Sequence, residues 1–153
     1  MKIGFNEAND RFCKDHSVMK DLEYCEKYGF DFIDIQSECL NRDLEAGKIT
    51  LEEMGEWFKT HHLKMLSYNA LCFFNMKQTQ EEKDAVMAEL DEIIRRCDIL
   101  GCKMIVVVPS KDMKERGLTP TRKEIREDAV AVLKEMVKKC EPHGIKLSLE
   151  FCG

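Results

Sequence analysis

Residues Ile145 to Phe151 read Ile-Lys-Leu-Ser-Leu-Glu-Phe, with an apolar side chain at every second position. That is the period of a β-strand, and it delivers the Glu150 carboxylate at the strand's tip. A carboxylate held there offers oxygen to a hard divalent cation or a base to a substrate proton. Hydrogen-bonding groups recur at other strand-like ends: Asn6-Glu7, Gln36, Asn69 and Pro109-Ser110. Asn6 and Asn69 carry amides, donor and acceptor at once, suited to orienting substrate hydroxyls or to holding loop backbone. Glu7 falls on the opposite pleat from Asn6 and is not expected to share its site. Phe73 and Phe74 follow a strand and suit an apolar wall against a bound ring, or packing beneath a loop. His61-His62 is a different case. Neighbouring helical residues point ~100° apart, so the pair is not expected to share a metal, and a structural role is expected instead.

The elements that must position these groups alternate regularly. "KIGFNEA" reads as a first strand and "SVMKDLEYCEKYG" as a helix with Val18, Leu22 and Cys25 inward, closed by Gly29. "FDFIDIQ" is a second strand. "TLEEMGEWFKTHH" opens on a capping box, Thr50 with Glu53, and stacks Met54, Trp57, Phe58 and His61 on one face, where Trp57 is expected in the core. "LKMLSYNAL" is a third strand. A long helix from Gln80 to Leu100 follows, with Val86, Leu90, Ile93, Ile94, Cys97 and Leu100 on its apolar stripe. "CKMIVVVPS" reads as a strand buried on both faces. The last helix, from Thr121, turns Ile125, Ala129, Val132, Leu133, Met136, Val137 and Cys140 inward, and the Glu150 strand ends the series.

Four βα units and a fifth strand imply an α/β fold with right-handed crossovers and a parallel sheet. A doubly wound sheet would bring a glycine-rich phosphate loop after its first strand. "FNEAND" has none. A (β/α)₈ TIM barrel puts its chemistry at the strand C-termini, where the polar residues fall. A complete barrel takes ~250 residues, so a single domain over residues 1–153 is expected to hold the first four βα units and strand five, with the C-terminal half absent.

Composition narrows the partners. Twenty-four Lys and Arg stand against 29 Asp and Glu, a net charge of −5 without a basic cluster, which argues against nucleic acid. No apolar run reaches the ~18 residues of a membrane span, and the opening residues lack a secretory h-region. The eight cysteines contain no CxxC pair. They are expected to be reduced, mostly structural thiols, as in a cytoplasmic protein. The charged loop "KDMKERG" is expected to be solvated, with Arg116 in reach of an anionic substrate.

Several stretches together resemble the xylose isomerase-like barrel family of sugar isomerases and epimerases, and within it the branch acting on keto-inositols in inositol breakdown. They are "FNEA", "DLEYCEKYGFDFIDI", "EWFKTHHLKMLSYNALCFFN", "VVVPS" and "EPHGIKLSLEFCG", spread from residue 3 to residue 153. The run from Thr60 to Asn75 is the most specific. The resemblance implies a metal-dependent isomerase of a keto-inositol (inosose) or related ketose, working through an enediolate. It implies one divalent metal ion, zinc or manganese, held by a Glu of the fifth strand, an Asp of the sixth, a His of the seventh and a Glu of the eighth. Glu150 matches the first, as metal ligand and as one of two proton-transferring carboxylates. Asn69, Asn6 and Phe73 would bind substrate. Gln36 departs from the pattern, since a charged residue is expected there.

Two other readings stand beside this one. The same lineage includes abasic-site DNA endonucleases, but those need further metal-binding histidines on earlier strands and a basic groove. A chain holding only half a barrel could also be non-catalytic. Its first and fifth strands would be open sheet edges, through which self-association is expected.

Overall fold

A computed structural model describes residues 1–151. The strands are β1 (Gly4–Asn6), β2 (Phe32–Gln36), β3 (Lys64–Cys72), β4 (Met104–Val108) and β5 (Lys146–Leu149). The helices are α1 (Val18–Lys27), α2 (Ser37–Glu45), α3 (Leu51–Thr60), α4 (Gln80–Leu100) and α5 (Arg122–Cys140). The strands form one parallel sheet in the order β1-β2-β3-β4-β5. Gly4, Phe5 and Asn6 stand opposite Phe32, Ile33 and Asp34, and β2 pairs with β3 through a register shift at Ile33/Asp34. Sequential neighbours in a parallel sheet are what βα crossovers of one hand produce. Among the described residues no helix is long and apolar enough to cross a membrane.

Contacts divide the chain into two compact units, Met1–Asn69 with Arg95–Met104, and Ala70–Ile94 with Ile105–Gly153. In the first, Leu22, Ile33, Ile35, Leu40, Met54 and Leu63 are fully buried. In the second, Leu71, Phe74, Leu90, Ile105, Val107 and Met136 are. The local signals hold where they are strongest. Thr50 Oγ1 accepts from Glu53 N at 3.2 Å while Glu53 Oε2 accepts from Thr50 N at 2.8 Å. Gly101 ends α4 at φ 71°, a left-handed conformation that costs glycine little. Among the described residues no disulfide forms, and Cys25, Cys39, Cys97, Cys102 and Cys140 are buried. Cys152 lies outside the described residues.

Three features differ from expectation. A fifth helix, α2, follows Gln36 directly. Its buried residues are Cys39, Leu40 and Asp43, two apolar side chains and a carboxylate, too few to print an apolar stripe. The Asp43 carboxylate is satisfied: Oδ2 accepts from Val18 N at 2.9 Å, capping α1, and Oδ1 meets Lys48 Nζ at 2.9 Å. On α5 only Met136 and Cys140 are buried, and Val137 is exposed. On the last strand the alternation does not mean burial, because Leu149 and Phe151 are exposed where β5 stands at the end of the strand order.

Gly55 makes a testable point about packing. A Cβ there would lie 2.7 Å from the Ile99 carbonyl oxygen. Gly→Ala within a helix gains ~1 kcal/mol of propensity, but overpacking against a backbone that cannot yield costs ~1–3 kcal/mol. Gly55→Ala is therefore expected to lower the urea midpoint; a raised midpoint would mean that α3 moves away freely.

Candidate functional site

Polar side chains of β1, β2 and β3 in the first unit form hydrogen-bonded pairs. Asp34, buried in β2, accepts from Ser67 Oγ and, through Oδ2, from Asn69 Nδ2 at 2.9 Å. Asn69 thus spends an amide hydrogen on Asp34. Asn6 is exposed, and its Oδ1 accepts from Ala8 N at 2.8 Å, capping the 3-10 turn Glu7–Asn9, and from Gln36 Nε2 at 3.4 Å. Sequence reasoning missed Asp34. A carboxylate between Ile33 and Ile35 in a strand was the available signal, because acids are rarely buried unless paired.

Beside these pairs lies a second group that sequence reasoning also missed. Glu7 leaves the strand for the 3-10 turn and is 0% exposed. Its Oε2 accepts from Gln36 N at 2.7 Å, and its Oε1 lies 3.2 Å from His16 Nε2. Asp21 Oδ2 lies 2.9 Å and Asp10 Oδ1 3.7 Å from the same nitrogen. Burial pushes the Glu7 carboxyl up to about 8 against the pull of the Gln36 N–H, helped by the charges of Asp21, Asp10 and Asp43. Burial, together with the neighbouring Asp10 and Asp43 carboxylates, pushes Asp21 up to about 7. Burial also lowers the His16 imidazole, against the charge of Asp10. Asp21 could have been found, since it lies three residues after Val18 and four before Cys25, inside the apolar stripe of α1.

In the second unit, Phe73 N donates to Val108 O at 2.7 Å and Glu150 N to Val107 O at 3.0 Å. Phe73 and Glu150 therefore bond successive carbonyls at the end of β4. Phe73 is half-buried, with φ 58°, an uncommon conformation for a bulky residue, and the Lys111 ammonium lies 5.9 Å from its ring centroid. Phe74 is buried beneath the loop. The loop is pinned by Asn75, whose Oδ1 accepts from Ser110 N at 2.7 Å. Glu150 is exposed and lies beyond the last residue of β5. Arg116 is turned to Glu82, with Nη2 at 3.3 Å from Oε1.

The histidine pair is spent on structure. His61 stacks on half-buried Trp57 with ring centroids 3.9 Å apart and 5° between planes. His62 Nε2 lies 3.3 Å from Asp31 Oδ1. Glu26 takes the backbone N–H groups of His62 and Leu63 at 3.1 and 2.8 Å, which anchors the start of β3.

As a metal ligand, Glu150 has the right chemistry, an oxygen donor of negative charge held by a strand end. Among the described residues it belongs to no group of three His, Cys, Asp or Glu donors close enough to share a cation. It fits one position of a ligand set, not a whole set.

A parallel sheet whose successive strands are joined by helices, with polar residues at its C-terminal ends, is the architecture of one large class of barrels. The sequence matches the xylose isomerase-like TIM barrel family over residues 22–153, and the chain belongs to that family. Its relatives include the inosose isomerases of Bacillus velezensis, 35% identical over 154 residues, and Bacillus licheniformis, 37% identical over 169 residues. Each alignment takes in 100% of this chain and 52% of the relative. Among solved structures, the IolI protein with a bound zinc atom matches at a TM-score of 0.86 and 35% identity, over 100% of this chain and 52% of that one. The chain spans about half the length of the curated relatives it matches.

Proposed function

We propose that these residues are the N-terminal half of a metal-dependent isomerase acting on a keto-inositol or a related ketose. The observation that carries the reading is Glu150, exposed at the tip of β5 and set across the end of β4 from Phe73. Support comes from the full-length match to proteins named inosose isomerase and from the zinc atom in the IolI structure. In this reading Glu150 is one metal-holding carboxylate and exchanges a proton with the carbon next to the substrate carbonyl, passing through an enediolate. A bound divalent metal, zinc or manganese, would supply Lewis acidity at the carbonyl. Phe73 would face the ring, and Asn69 and Asn6 the hydroxyls. The other ligands that the resemblance implies have no counterpart in these 153 residues and would come from a segment that completes the barrel. Without it the chain would be a non-catalytic half barrel that self-associates along β1 and β5.

Proton transfer through an enediolate is tested in heavy water. The completed enzyme, given a keto-inositol, is expected to bring deuterium into the ring next to the carbonyl and to lose turnover with a chelator. Full activity after verified removal of all metal would end the proposal.

A further inference from the structure

The group around His16 is short of positive charge. His16 Nδ1 meets Arg42 Nη2, and a guanidinium has only donors, so the ring's proton sits on Nε2. One proton there faces three carboxylate oxygens. None stands in hydrogen-bond geometry: His16 Nε2, Asp21 Oδ2, Asp10 Oδ1 and Glu7 Oε1 are all buried atoms without a hydrogen-bond partner. His16 is 8% and Asp21 5% exposed. Leaving such groups unsatisfied is costly.

We propose that Asp10, His16 and Asp21 form a divalent-cation site of the open, three-ligand kind that zinc occupies, independent of Glu150. Their donor atoms all lie within 4.8 Å of one another. Asp21 Oδ2 and Asp10 Oδ1 stand 2.9 and 3.7 Å from His16 Nε2. Zinc bonds of ~2.1 Å in a tetrahedron put donors ~3.4 Å apart, between those two distances. Glu7 and Cys39 also approach His16. Glu7 Oε2 is taken by Gln36 N, which leaves Oε1, 3.2 Å from His16 Nε2, to join as a further donor. Access lies through Asp10, whose side chain is 32% exposed. Asp10 and Asp21 line a cavity of ≈ 300 Å³ walled by Phe5, Tyr24, Tyr28 and Phe30, room for the water or ligand that fills an open zinc position. Coordination through Nε2 shifts the imidazole proton to Nδ1 and displaces Arg42. That side chain is 43% exposed and its Nε already stands 3.3 Å from Asp43 Oδ1, so it has somewhere to go.

Zinc alone is the probe, titrated into the metal-free 153-residue chain against a chromophoric chelator. One tightly bound zinc per chain is expected, and Glu150→Gln retains it. Asp10→Asn, a change at a half-exposed loop position that folding tolerates, and Asp21→Asn each weaken it by more than the ~10–100-fold of a lost outer-shell contact. Arg42→Met, which removes both a competing donor and a neighbouring cation, tightens it by about tenfold. That gain separates coordination at His16 from zinc on the surface His61-His62 pair, which none of these changes touches. Absence of zinc uptake, or equal affinity in wild type and the Asp10→Asn/Asp21→Asn double variant, overturns the proposal and leaves a cluster held by protons.

Discussion

Glu7→Gln is expected to leave the stability of the metal-free protein nearly unchanged near pH 4.5 and to raise it by on the order of 4 kcal/mol near pH 9. The Glu7 carboxyl is raised by burial from 4.5 to about 8. A raised acid binds its proton more tightly in the folded state, so the stability it contributes is fully present below the unfolded value and is lost as pH rises through the folded one. The window runs from 4.5 to about 8. Above it wild type must bury a carboxylate beside Asp21 and Asp10, or open. Glutamine never ionises. Its carbonyl can still accept from Gln36 N, now 2.7 Å from Glu7 Oε2, and its amide donor faces the oxygens that lack one. Urea unfolding across the range, with chelator present, decides it. A wild-type curve parallel to that of Glu7→Gln at every pH would show that water reaches Glu7. Asp21, raised to about 7, adds its own slope at lower pH and is common to both proteins.

What could be read beforehand was whatever is local. The β5 period, the Thr50–Glu53 box and the α4 stripe each depend on residues within a few positions, and each is present in the fold. The parallel order of the strands follows from alternation alone. Helix α2 escaped because Asp43 takes the place of an apolar side chain, and what makes a buried acid tolerable is α1's N-terminus, 25 residues away. The His16 group escaped for the same reason on a larger scale. Glu7, Asp10, His16 and Asp21 have no motif spacing, and they meet only because the segment after β1 brings Glu7, Asp10 and His16 against Asp21 of α1. Asn6 was legible as a strand-end amide; Asn69, expected at a strand end too, lies inside β3, which runs on to Cys72. Their engagement with Ala8, Gln36 and Asp34 was not legible, because it depends on which face each neighbouring strand presents.

Glu150→Gln, made in the protein with its barrel completed, is expected to lower isomerase turnover by ~10²–10⁴-fold, the range that a positioned proton-transfer group supplies, and to strip the proposed metal. The argument is one of charge at constant shape. Glutamine keeps the backbone bond from residue 150 to Val107 O, 3.0 Å in length, and keeps one oxygen in place. It removes the negative charge that attracts a hard cation and the basicity that takes a proton. The side chain is exposed, so no core contact is lost and stability should hold, which separates a chemical effect from unfolding. Elemental analysis after dialysis, made in the Asp10→Asn/Asp21→Asn background so that zinc at His16 is not counted, beside a turnover assay, reads both consequences. Metal retained with turnover lost would leave Glu150 as a base alone. Equal metal content and equal turnover would remove Glu150 from the site and the proposed function with it.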